Sequence, residues 1–200
     1  MTMQPIYLTG HSRPVQKVQF NYDGDLLFTC SDDKSVCMYS TQMLNRVGLF
    51  QINDSCKSID VTKDSKYLFA TATTKGIKIF NVANGDLISE LTIGAMQTKQ
   101  VELSFSDKYF AVLYEEKSRE TFIKIFNTKE ALEWGKKEGC PKPICTIKGP
   151  KDHGINCVKW GKFDETVLYA TDKGRLLQYN IEEEQVVKAR DVNRNEIFTI

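Results

Sequence analysis

His11 and Asp33 are the residues of this sequence whose side chains could together handle a proton. An imidazole held by a carboxylate is the core of many general acid/base sites, which also need a nucleophile or a second carboxylate nearby. Neither accompanies this pair. The other acidic residues sit in hairpin turns and in runs such as Glu115-Glu116 and Glu182-Glu183-Glu184, which are ordinarily solvated. No catalytic residue is therefore expected.

The six cysteines, Cys30, Cys37, Cys56, Cys140, Cys145 and Cys157, contain no Cys-x-x-Cys pair, and only His11 and His153 could add nitrogen ligands. A zinc site needs four such ligands converging at short intervals, so neither a metal nor a cofactor is expected. Cys30, Cys37, Cys56 and Cys157 stand among apolar residues and read as small buried hydrophobes of a reducing compartment. Cys140 and Cys145 flank a loop with Pro141 and Pro143, where strand-edge geometry could bring them together for redox or metal chemistry. Trp134, in a polar stretch, is the candidate partner anchor, whereas Trp160 lies in a strand-like segment and reads as core. Lys136, Lys137 and Lys142 are the candidates for direct RNA contact, although no aromatic platform for stacked bases accompanies them.

Twenty-seven basic against 26 acidic residues give a net charge of +1, with the signs interspersed. Such a chain lacks the field that draws phosphate backbones or anionic membranes without specificity. No apolar run approaches the roughly 18 residues of a spanning helix. Residues 1–8 lack the basic and apolar regions of a secretory signal, so a cytoplasmic location without membrane association is expected.

The elements that would position these residues are announced by a repeat. Val36-Cys37-Met38-Tyr39-Ser40, Ile77-Lys78-Ile79-Phe80-Asn81, Ile123-Lys124-Ile125-Phe126-Asn127 and Leu176-Leu177-Gln178-Tyr179-Asn180 share an aromatic followed by a small polar residue. The aromatics are spaced by 41, 46 and 53 residues, at or above the ~40–45 residues of a four-stranded propeller blade. A polar turn and an apolar run precede each segment, as in Asp23-Gly24-Asp25 before Leu26-Leu27-Phe28 and Ser106-Asp107-Lys108 before Tyr109-Phe110-Ala111-Val112. Upstream again lie alternating strands, such as Val101, Leu103 and Phe105, whose period of two predicts one buried and one open face. Outer strands are expected at 47–50, 87–91, 144–147 and 186–188. A short helix within 129–137 would form a surface insertion in the third unit.

Gly10-His11 followed by Asp33 resembles the WD-repeat signature, and the resemblance implies that His11 and Asp33 form an internal brace between strand and turn. The blades are degenerate: Thr74 stands in the place of the turn Asp, and the fourth unit offers Asp152-His153 with Asp172. The fold implied is an all-β WD-repeat β-propeller, about four blades of an incomplete seven-bladed ring, since seven blades need about 300 residues. The blades are expected at about 11–51, 55–92, 99–148 and 153–190. Residues 195–200 would open a fifth blade, and 5–9 would be the outer strand of a last blade whose other strands are absent, leaving unpaired edges at both ends.

A closer likeness lies in Pro5-Ile6-Tyr7-Leu8-Thr9-Gly10-His11, Asp23-Gly24-Asp25-Leu26-Leu27-Phe28-Thr29, Val158-Lys159-Trp160-Gly161 and Gly174-Arg175-Leu176-Leu177-Gln178-Tyr179. These segments resemble subunit I of eukaryotic translation initiation factor 3. That resemblance implies a non-catalytic scaffold subunit supporting mRNA recruitment to the 40S ribosomal subunit, with the B and G subunits as chief partners. A WD-repeat adaptor in signalling or RNA processing, of the kinase-receptor-associated type, would share the same features.

Overall fold

Polar turns alternating with apolar runs leave each segment one low-cost arrangement, a hairpin with its neighbour in sequence. The computed structural model describes residues 5–150 and 153–192, and the side chain of Lys162 lies outside that description. The strands fall into four antiparallel sheets, each with its strands in chain order. The first holds β1 (Val15–Phe20), β2 (Leu26–Ser31), β3 (Ser35–Ser40) and β4 (Asn45–Gln51). The second holds β5 (Ile59–Val61), β6 (Tyr67–Ala72), β7 (Gly76–Asn81) and β8 (Leu87–Thr92). In the third, β9 (Gln97–Leu103), β10 (Tyr109–Glu115) and β11 (Thr121–Asn127) are followed by the helix α1 (Thr128–Trp134) and then β12 (Cys145–Lys148). The fourth holds β13 (Ile155–Trp160), β14 (Thr166–Thr171), β15 (Arg175–Asn180) and β16 (Gln185–Asp191). The fold is a β-propeller, and the first strands of successive blades touch one another at its inner edge.

Three apolar clusters hold the blades together, one between each successive pair. Phe28, Val36 and Phe50 of the first blade meet Ile59, Leu68 and Phe80 of the second, with Phe50 and Phe80 edge-to-face at 5.6 Å. Phe69, Ile77 and Leu91 meet Val101, Phe110 and Val112. Leu113, Ile123 and Ile125 meet Val158, Val167 and Tyr169. Each such side chain, fully buried, contributes about 1.5–3 kcal/mol. The period of two expected of the first strands does not extend to the second strands, whose apolar runs bury both faces. Leu68 and Ala70 pack toward the first blade while Phe69 packs toward the third, and Phe110 and Val112 point away from Ala111 and Leu113. A sheet sandwiched between neighbours needs apolar residues at every position, which is why these strands read as continuous runs.

Some expectations are revised. Residues 5–9 form no strand, because no strand among the described residues lies beside them. The expected strand at 195–200 lies outside the described residues. β9 ends at Leu103, so Phe105 belongs to the following turn. The insertion is more than a surface excursion. Asn127 caps α1 by accepting the Lys129 and Glu130 N–H groups, and the chain then reaches back to the second blade. There the carbonyls of Gly135 and Gly139 accept the Glu90 and Thr92 N–H groups at 2.9 and 2.7 Å. The open edge of β8 is thereby covered. No helix among the described residues is long and apolar enough to cross a membrane.

Gly76 opens β7 with φ +120°, and a Cβ placed there would lie 2.1 Å from the Leu91 carbonyl oxygen. Gly76→Ala is expected to lower the unfolding free energy by on the order of 2–3 kcal/mol, read by urea denaturation.

Candidate functional site

The turn between β2 and β3 and the segment before β1 bring His11 and Asp33 together, with Nδ1 and Oδ2 2.9 Å apart. Nδ1–H donates to the carboxylate, and Nε2 accepts the Thr29 hydroxyl at 2.7 Å. Asp33 also accepts the Ser12 N–H at 3.0 Å, the Ser35 N–H at 3.1 Å and the Ser35 hydroxyl at 2.7 Å. Burial works to raise the Asp33 carboxyl, but these donors outweigh it and hold the group at about 2. With both ring nitrogens engaged internally, the imidazole is placed to tie strand to turn.

The second blade makes the same tie with its polarity reversed. Asp54 stands on the entering segment and accepts the N–H and hydroxyl of Thr74 at 2.7 and 2.8 Å. In the fourth blade Asp172 accepts the Gly154 N–H at 3.0 Å, whereas His153 Nδ1 is buried without a partner, so His153 and Asp172 do not pair. Asp152 lies outside the described residues. The two cysteines of the insertion loop lie in different clusters: Cys140 packs against that between blades two and three, and Cys145 against that between three and four. The Cys145 thiol donates to the Tyr179 hydroxyl at 3.6 Å, and the loop does not join the two sulfurs. Among the described residues, no three His, Cys, Asp or Glu side chains converge on one point.

Two sets of side chains escaped sequence reasoning. The first clasps blade to blade at the turns that follow β1, β5, β9 and β13. Gly24, Ser65, Asp107 and Asp164 all have positive φ there. Ser65 accepts from Asn21 Nδ2 at 3.0 Å, Asp107 accepts the Lys63 N–H at 2.6 Å, and Asp164 accepts the Ser106 N–H at 3.1 Å. Each clasp steps back exactly one blade. Their common position in the repeat was the signal available, and it reads only as a tight hairpin until the blades are placed side by side. On the surface so fixed, Tyr22, Phe105 and Phe163 are 67–78% exposed. The Lys63 ammonium lies between two of them, 3.1 Å from the Phe105 ring centre and 5.6 Å from that of Tyr22.

The second set satisfies the inner strands. Gln100 donates to the Val158 carbonyl at 2.8 Å and accepts the Val158 N–H at 3.0 Å. Ser58 donates to the Val101 carbonyl at 3.2 Å, Asp60 accepts the Leu103 N–H at 2.8 Å, and Trp160 Nε1–H donates to the Glu102 carbonyl at 2.9 Å. Burial, reinforced by Glu102, pushes the Asp60 carboxyl up to about 6. Trp160 is therefore partly buried between blades three and four, stacked on Tyr109. Trp134 is half-buried against the cluster between blades two and three, and its Nε1–H donates to the Lys137 carbonyl at 3.3 Å. Lys136, Lys137 and Lys142 are exposed, and the Trp134 ring lies 5.5 Å from Lys137 Nζ.

With this geometry in place, the chain can be set beside known proteins. Residues 3–40 match the family model described as WD domain, G-beta repeat. Proteins named eukaryotic translation initiation factor 3 subunit I are similar over nearly the whole chain. That of Dictyostelium discoideum is 30% identical over 93% of this chain and 54% of its own length. That of Brugia malayi is 27% identical over 90% and 54%, and that of Vanderwaltozyma polyspora 25% identical over 99% and 58%. The chain thus spans about half the length of the curated relatives it matches. Among solved structures, the β-propeller domain of Cps50 (Swd1) from Myceliophteria thermophila superposes with a TM-score of 0.75 at 16% identity, over 98% of this chain and 60% of that one, a likeness of fold alone.

Because the folded Asp33 value lies below that of an unfolded aspartate (~4), its brace stabilises fully above that pH. About 2 kcal/mol is then lost as the pH falls toward 2. Asp33→Asn should remove this stabilisation, so that urea-derived stabilities of the variant and the parent differ at pH 7 and converge in acid. Trp134→Ala should lower stability by about 1–2 kcal/mol, because half of a large ring leaves the cluster it packs on.

Proposed function

We propose, for a chain that folds as a WD-repeat β-propeller and resembles subunit I of eukaryotic translation initiation factor 3, that it serves as a non-catalytic scaffold piece of that factor. The similarity to the Dictyostelium protein over 93% of the chain carries this reading. The role is architectural: the chain presents fixed surfaces to other subunits, chiefly B and G, and through the complex supports mRNA recruitment to the 40S subunit in the cytoplasm. Two features of the molecule support it. The histidine and carboxylate that could have moved protons are saturated by internal partners. The clasped turns hold exposed aromatic side chains on a rigid frame, and aromatic residues are enriched where interfaces concentrate their binding energy.

The test is affinity capture of the tagged chain from its own cells, followed by mass spectrometry. Initiation factor subunits and 40S proteins are the expected companions, and recovery of signalling or RNA-processing complexes in their place would overturn the assignment. Tyr22→Ser combined with Phe105→Ser should cut that recovery at least fivefold while the circular dichroism spectrum stays unchanged.

A further inference from the structure

At the inner edge of the four blades lies a cavity of about 300 Å³ lined by Gln16, Lys17, Lys57, Ser58, Lys99, Gln100, Asn156, Cys157, Val158 and Lys159. The lining is regular. Counting back from Val18, Ile59, Val101 and Val158, equivalent positions in the four blades, it takes the two preceding residues from each. In three blades the outer of these two is the extra residue of a β-bulge, Gln16 in β1, Lys99 in β9 and Asn156 in β13. A bulge turns a side chain out of the ladder, and here it aims each one into the same space. In the second blade Thr71 Oγ1 accepts the N–H groups of both Lys57 and Ser58 at 2.9 Å, which sets Lys57 in the matching place.

The chemistry of the lining is one-sided. It contains four lysines and no carboxylate. Carboxylates approach from outside: Asp32 meets Lys57 at 2.7 Å, Glu115 meets Lys99 at 2.6 Å, and Glu102 alone serves both Lys17 and Lys159. With Asp60, which also lies near Lys17, four carboxylates stand around four ammonium groups, and the remaining capacity is in donors, since an ammonium has three where one carboxylate oxygen takes one. One further donor, Asn156 Nδ2, is buried in the cavity wall with no partner at all. An unsatisfied buried donor costs about 1–3 kcal/mol, which an acceptor bound in the cavity would recover once the Asn156 amide rotates toward it.

We infer that this axial cavity binds a small, multiply charged phosphate-type anion, with Lys57 and Lys99 supplying charge and Asn156 a directed hydrogen bond. Its volume suits inorganic phosphate, pyrophosphate or the phosphates of a small ester. The near-neutral chain offers no general field for a polyanionic strand, so the free anion is favoured over a nucleic-acid backbone.

The full chain is to be titrated with sodium pyrophosphate by isothermal calorimetry and thermal shift, at ionic strength held constant with sodium chloride. Saturable binding and a raised melting midpoint are expected. Lys99→Met and Asn156→Ala should each raise the dissociation constant at least tenfold. Lys99→Met keeps the apolar stem of a side chain that is 29% exposed but leaves Glu115 unpaired, so circular dichroism and urea denaturation check that the variant is folded. Three outcomes overturn the inference: an equal midpoint rise with chloride alone, pyrophosphate binding unchanged in Asn156→Ala, or displacement of pyrophosphate by micromolar single-stranded RNA, which would assign the lysines to a nucleic acid.

Discussion

A four-stranded sheet that is apolar on both faces has no stable life alone, and the inner blades of this protein are such sheets. Leu68 and Phe69, or Phe110 and Ala111, are sequence neighbours that belong to different cores. Every inner blade is thus stabilised by burying what its two neighbours would otherwise leave exposed. Order in one blade is conditional on order in the next, as in other repeat architectures where nearest-neighbour interfaces carry the stability.

Side-by-side packing creates a second demand, at the edges. The innermost strand of each blade has one side with no strand partner, and its N–H and C=O groups must still be bonded. Side chains of adjacent blades meet that demand. Gln100 serves both groups of Val158, Asp60 and Ser58 serve the third blade's inner strand, and Trp160 reaches back to the Glu102 carbonyl. At the rim the insertion after β11 does the same for β8. The polar residues between the blades, Asp60 and Gln100 among them, are therefore the means by which apolar sheets can stand next to each other.

The same construction separates two chemistries on one frame. The turns after the first strands carry aromatic rings and the clasping carboxylates Asp107 and Asp164. Toward the starts of those strands, bulges gather lysines and amides. Rigidity comes from hydrogen bonds that cross blade boundaries, so both surfaces are held in shape by the frame itself.

Much of this was written locally. Aromatic and small-polar endings, polar turns and apolar runs fall at near-regular spacing, and hairpin formation depends on residues a few positions apart, so strands and blade order could be read from the chain, while the His11–Asp33 tie was implied by the resemblance to the WD-repeat signature. Neighbouring residues also sufficed to place a helix in the insertion. Tertiary structure alone decided that β6 and β10 bury both faces, that the insertion closes the edge of the preceding blade, and that Ser65, Asp107 and Asp164 reach back one blade. It also decided that Gln16, Lys57, Lys99 and Asn156 share a cavity. The physical reason is distance along the chain: these contacts join residues about 40 or more positions apart, and a bulge or a clasp acquires its meaning only when the neighbouring sheet is present to receive it.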